Sequence, residues 1–157
     1  MATREQVLAA FAQAVVNSGA FDKVVRNDVI DDATSGTIAM VFDGDETRNP
    51  EGNANRRPDP KWPARVSMLP EVYILTECDP AMVGPFMNWL IAKVTVSILS
   101  DATLLSLLWE KTITYDGLQT GLALGRSLAA EAGLNFTLVR VEKYEEPGPD
   151  PRESTEV

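Results

Sequence analysis

Asp43, Asp45 and Glu46 bring three carboxylates into the four-residue run D-G-D-E. Alternating side-chain oxygens of that kind can hold a calcium ion. The pattern breaks at the next ligand position, which is Thr47, and no Asp-Gly pair follows at the EF-hand offset. A solvated acidic turn is the expected outcome. Asp43 and Glu71 could serve as a carboxylate pair in hydrolysis, but nothing in their spacing brings them together. Histidine is absent from the 157 residues, which removes the commonest general acid or base near neutral pH and the commonest metal ligand. The single cysteine, Cys78, cannot form a structural zinc site or an intramolecular disulfide, and as a nucleophile it would need a base other than histidine. Gly117, Gly121 and Gly125 are spaced by four and fit neither a phosphate loop nor a dinucleotide fingerprint. No catalytic residue, metal or cofactor is expected, and the chain reads as non-enzymatic.

Contact chemistry has a clearer place. Residues 43–65, DGDETRNPEGNANRRPDPKWPAR, carry Pro50, Pro58, Pro60 and Pro63 with Gly44 and Gly52. Connections in compact domains usually run to about 4–6 residues, and structureless loops beyond about 12–15 are functional arms or disordered. Arg48, Arg56, Arg57, Lys61 and Arg65 balance the five acids of this run, and Trp62 stands between prolines. Arginine and tryptophan are frequent interface anchors, so Arg48, Arg56, Arg57, Lys61, Trp62 and Arg65 are the candidate partner or oligomer contacts. The competing reading is a loop with Trp62 tucked into the core.

The net charge is −9, which disfavours sequence-independent phosphate binding. Residues 145–157 alone contribute −4, leaving −5 on the rest. A lone thiol suits the cytoplasm, and residues 1–16 lack the continuous apolar run of a signal peptide. The longest apolar stretch, 81–99, is interrupted by Pro85, Asn88 and Lys93 and is a poor bilayer span.

The elements that must position these residues follow from caps and periodicity. Thr3 and Gln6 have capping-box spacing ahead of a helix over 4–16 with Val7, Leu8, Phe11 and Val15 on one face. Residues 37–42 and 66–77 read as strands, and 21–30 as an ambiguous stretch. Pro70 cannot donate to a ladder, which implies an edge strand or a bulge. Asp79-Pro80 opens the main helix, and Asp101 caps a short apolar one. Residues 111–115 read as a short strand, 118–132 as a helix closed by Gly133, and 136–144 as an alternating strand. The expected class is α+β, with a mostly antiparallel sheet, helices on one face and a long arm between two strands. The expected organisation is one domain over 1–145 with the arm at 43–65, followed by a flexible acidic tail at 146–157.

This layout, from the Thr3 helix through RVSMLPEVYILTE and the helix at 80–99 to the final strand FTLVRVEKYEEPGPDP, resembles the tail terminator proteins of long-tailed bacteriophages. The resemblance implies a homo-oligomeric ring, a hexamer, that caps the tail tube and stops its elongation. It implies the tail tube protein and a head-completion or connector protein as partners. DNA would pass through the ring without sequence-specific binding, and no membrane is involved. The place implied is the head-proximal end of the virion tail, after assembly in the host cytoplasm. Another head–tail connector, or a small cytoplasmic adaptor that binds one protein partner through the arm, remains open on the residues alone.

Overall fold

The computed structural model describes residues 2–28, 36–50, 64–124, 128–142 and 148–153, with 49, 50, 121–124, 128 and 129 as backbone only. The first helix, α1 (Arg4–Asn17), starts where the sequence places it. Thr3 Oγ1 accepts the Gln6 N–H at 3.2 Å, and Gln6 Oε1 accepts the Thr3 N–H at 2.9 Å. Each side chain satisfies a backbone donor that the first turn leaves without a partner. Strand β1 (Lys23–Arg26) follows, then β2 (Thr37–Pro50) and β3 (Ala64–Glu77). Asp79 caps a 3₁₀ turn, Pro80–Met82, by accepting the Ala81 N–H at 3.1 Å, and α2 (Val83–Leu99) continues from it. Asp101 caps α3 (Ala102–Leu107) through the Leu104 N–H at 2.8 Å. Strands β4 (Ile113–Leu124) and β5 (Leu128–Glu142) complete the chain order.

The five strands form one sheet in the order β1-β2-β3-β5-β4. β1 runs parallel to β2, and every other neighbouring pair is antiparallel. The alternation of β3 turns Val66, Met68, Val72 and Ile74 to one side, where they meet Leu8 and Phe11 of α1 and Leu90, Val94 and Ile98 of α2. All of these are buried, and burying each such side chain is worth about 1.5–3 kcal/mol. Phe136 of β5 ties the layers together, edge-on to Phe11 at 5.5 Å and tilted against Tyr115 at 5.4 Å. Ser97 donates to the Ala14 carbonyl at 2.6 Å, joining α2 to α1. The described helices therefore cover one face of a mostly antiparallel α+β sheet, as expected.

Three expectations change. The run 43–65 does not begin as a loop: β2 continues to Pro50 and β3 starts at Ala64, paired from Asp45↔Leu69 to Pro50↔Ala64. The flanks of the arm are thus a β-ladder. Of the two readings of Pro70, the bulge holds and the edge does not, because β3 lies at the centre of the sheet between β2 and β5. Its missing N–H is accommodated by a bulge in β2 between Phe42 and Asp45, and the β3–β5 pairs skip Leu69 and Pro70. A second bulge, between Tyr115 and Gly117 in β4, lies at the same level across the sheet. Bulges sharpen the local twist and end regular pairing.

Residues 118–124 and 128–132 are not helical but belong to β4 and β5. Alanine and leucine favour a helix locally, yet Ala130, Ala132, Leu134, Phe136 and Leu138 alternate into the core with a period of two. β5 is paired on both sides, from Ala64↔Glu142 to Glu77↔Ala129 with β3 and along β4, and that pairing overrides local propensity. Gly133, expected as a helix cap, sits inside β5. A Cβ there would come within 2.9 Å of Glu71 Oε1.

Gly44 makes the bulge possible. Its φ is +70°, and a Cβ would lie 2.0 Å from the Leu69 carbonyl oxygen, so both strain and collision oppose any side chain. Gly44→Ala should cost about 2–4 kcal/mol in chemical denaturation. Gly133→Ala, which displaces only the end of a glutamate side chain, should cost well under that, and equal losses would remove the bulge from its central role.

Candidate functional site

Two of the three carboxylates of the D-G-D-E run, those of Asp43 and Glu46, are engaged by arginines. Arg26 reaches from the end of β1 and binds Asp43 through Nε at 2.9 Å and Nη2 at 3.0 Å, while its Nη1 and Nη2 meet Glu5 of α1 at 2.7 and 2.9 Å. Such forked contacts are among the strongest charged hydrogen bonds. Arg4 donates to the Gly44 carbonyl at 3.1 Å and lies 3.4 Å from Glu46. Glu46 also reaches Arg140 of β5, which is 3% exposed and pairs with Glu142, both at 3.5 Å. Among the described residues, no group of three or more histidine, cysteine or acidic side chains could hold a metal. Asp43 and Glu46 brace the bulge.

Glu71 and Asp43 have different surroundings. Glu71 lies over Gly133 on the face of the sheet that the described helices leave bare. Tyr73 is on the same face. Burial, a hydrogen bond to Glu131 and the negative charges of Glu131 and Glu71 push its phenol well above the ordinary range, so it is neutral at every physiological pH. Cys78 is half-buried between β3 and the Asp79 cap.

Of the candidate contacts, Arg56, Arg57, Lys61 and Trp62 lie outside the described residues. Arg48 is half-buried on β2 opposite Val66. The Arg65 guanidinium stacks on Trp109 at 4.7 Å from the ring centre, a cation–π contact within the chain. Arg65 thus fastens the base of the hairpin to the turn ahead of β4. The two described members stand on adjacent rungs of this ladder, Arg48↔Val66 and Asn49↔Arg65.

No protein-family profile matches the sequence, and no curated protein sequence matches it. Among solved structures, the chain is similar to the sheath/tube terminator, in its extended state, of the extracellular contractile injection system PVC. The TM-score is 0.45 and the identity 10%, over 100% of this chain and 64% of that one. The chain therefore spans about two thirds of the length of that protein.

Periodicity read from the core side misses the outer surface of α2. Met82, Trp89, Val96 and Leu99 are 52, 51, 65 and 37% exposed. Phe86 stacks edge-on to Trp89 at 6.0 Å, and Lys93 Nζ lies 5.6 Å from the Trp89 ring centre. The stretch Pro80–Leu99 is long and apolar enough by composition to cross a bilayer, yet only part of it is buried. Met87, Leu90, Val94 and Ile98 form the inner row. A helix apolar on all sides is ordinarily buried on all sides, and that signal was present in VGPFMNWLIAKVTVSIL.

The Arg26 clasp has a pH signature. Hydrogen bonding from Arg26 holds the Glu5 carboxyl below its usual value. At Asp43, burial raises the pKa but hydrogen bonds from Arg26 and Asn27 outweigh it. Both carboxyls bind protons less readily folded than unfolded, so their contribution is complete above the ordinary values of 4.5 and 3.8 and is lost as pH falls through the lowered ones. Arg26→Met should cost about 1–2 kcal/mol at neutral pH and flatten the acid limb of a stability–pH curve measured by urea unfolding. An unchanged acid limb in this variant would assign that limb to other carboxylates.

Proposed function

We propose that the protein is a non-enzymatic assembly subunit that caps a tail-like tube and ends its elongation. It works as a homo-oligomeric ring, hexameric by the resemblance of its sequence layout to phage tail terminators. One side of the ring meets the last ring of tube protein, and the other meets a head-completion or connector protein. The protein belongs at the head-proximal end of a virion tail and is assembled in the host cytoplasm.

The observation that carries this reading is the bare outer row of α2. A subunit that works alone rarely leaves a contiguous apolar row of this kind in water, whereas one built to be covered by protein needs it. The β2–β3 ladder, paired out to Pro50↔Ala64, adds a second surface of regular strand. An acidic chain also suits a channel that DNA crosses without adhering.

Native mass spectrometry or light scattering of the purified protein should find a ring-sized species, and particles made without the protein should carry tails of abnormal length. A strict monomer together with normal tails would remove the reading.

A further inference from the structure

The two-layer fold leaves apolar side chains exposed on its helix side and half-buried on its sheet side, where Ile38, beside Leu75, is fully buried. On the helix side stands the row of Trp89, Val96 and Leu99 of α2, with Met82 of the preceding 3₁₀ turn. On the sheet side, Met40 and Phe42 of β2 stand beside Tyr73 and Leu75 of β3, half-buried, with Leu69 43% exposed. Among the described residues no helix packs on that sheet face. We propose that the outer face of α2 in one copy packs on the helix-free sheet face of the next copy, around the exposed Leu69 and half-buried Tyr73; the inference rests on the assembly reading above and names the contact that closes the ring.

Layer geometry is the first support. A helix laid on a sheet face is the commonest way for such surfaces to be covered, and the inner row of α2 already does this on the opposite face of the same sheet. Between α1 and α2 a shallow cleft of about 340 Å³, lined by Asn17, Trp89, Lys93 and Val96, can take one apolar side chain from the partner.

Charge is the second support. Lys93 is the only charged residue of α2, and it stands in the exposed row beside Trp89. The sheet face presents Glu71 and Glu131 on either side of Tyr73. A purely apolar helix would strand those two carboxylates, whereas one bearing a single lysine gives them a counter-charge. Two lysine-bearing helix faces against each other, or two acidic sheet faces, would repel.

The third support is symmetry. The two surfaces lie on opposite sides of one subunit, so their contact is heterologous: it propagates from copy to copy and closes into a ring when the rotation allows. A lipid surface also covers apolar helices, but one lysine on this face and a net charge of −9 offer little to an anionic bilayer.

The test uses the full chain. Trp89→Glu on the helix side and Met40→Glu on the sheet side should each raise the concentration needed for assembly roughly tenfold or more, with circular dichroism unchanged. Lys93→Glu should do the same, and pairing it with Glu131→Lys should restore assembly. In a Cys78→Ser background, Lys93→Cys and Glu131→Cys on one chain should oxidise to a covalent ladder ending at ring size. A mixture of the two single-cysteine proteins should stop at dimers, and neither alone should link. If the ring forms and both glutamate variants leave it intact, the pairing of faces is overturned while the assembly reading stands. Covalent dimers from Lys93→Cys alone would replace it with a helix-to-helix contact. A wild-type protein that stays monomeric while binding phosphatidylglycerol vesicles would overturn both readings.

Discussion

A proline in the middle of a sheet has to be paid for by its neighbours, and the way Pro70 is accommodated shapes the rest of this molecule. β3 lies between β2 and β5, so a residue that cannot donate interrupts pairing where pairing is needed on both sides. β2 answers with a bulge at Asp43–Gly44, where the backbone approaches Leu69 more closely than any side chain would permit. Beyond this level the β2–β3 ladder continues as the base of the arm. The course of the ladder from Asp45↔Leu69 to Pro50↔Ala64 therefore depends on how firmly the bulge is held.

Arginines hold it. Arg26 ties Asp43 to Glu5, Arg4 ties the Gly44 carbonyl and Glu46 to the start of α1, and Arg140 reaches Glu46 from β5. The first helix, the shortest strand and the bulge thus form one electrostatic unit at the mouth of the arm. An acidic motif that looks like a cation site in one dimension has its counter-charges supplied by the fold. Exposed pairs of this kind are individually weak, but several share partners here, and Arg140 is almost fully buried.

The same layering that encloses the core exposes what the assembly reading depends on. α2 meets the sheet with one row and water with another, and the far side of the sheet carries its own apolar patch between acids. Both surfaces belong to segments that the core already makes rigid. Covering them requires little ordering of side chains, which lowers the entropic cost of association.

Local signals determined much of this protein. The Thr3–Gln6 box, the Asp79 and Asp101 caps, the core face of α1 and the final alternating strand were all legible, because each rests on contacts within a few residues. So was the absence of histidine, glycine loops or paired cysteines on which catalysis or metal binding could rest. Tertiary structure decided the rest. It turned an alanine-rich stretch into paired strands, because β3 offers β5 a ladder and a core that a helix there could not fill. It placed Pro70 at the sheet's centre and Arg65 on Trp109, contacts between residues distant in sequence. And it left Trp89 and Val96 outside, since which side of an all-apolar helix meets water depends on the single sheet it can lie against.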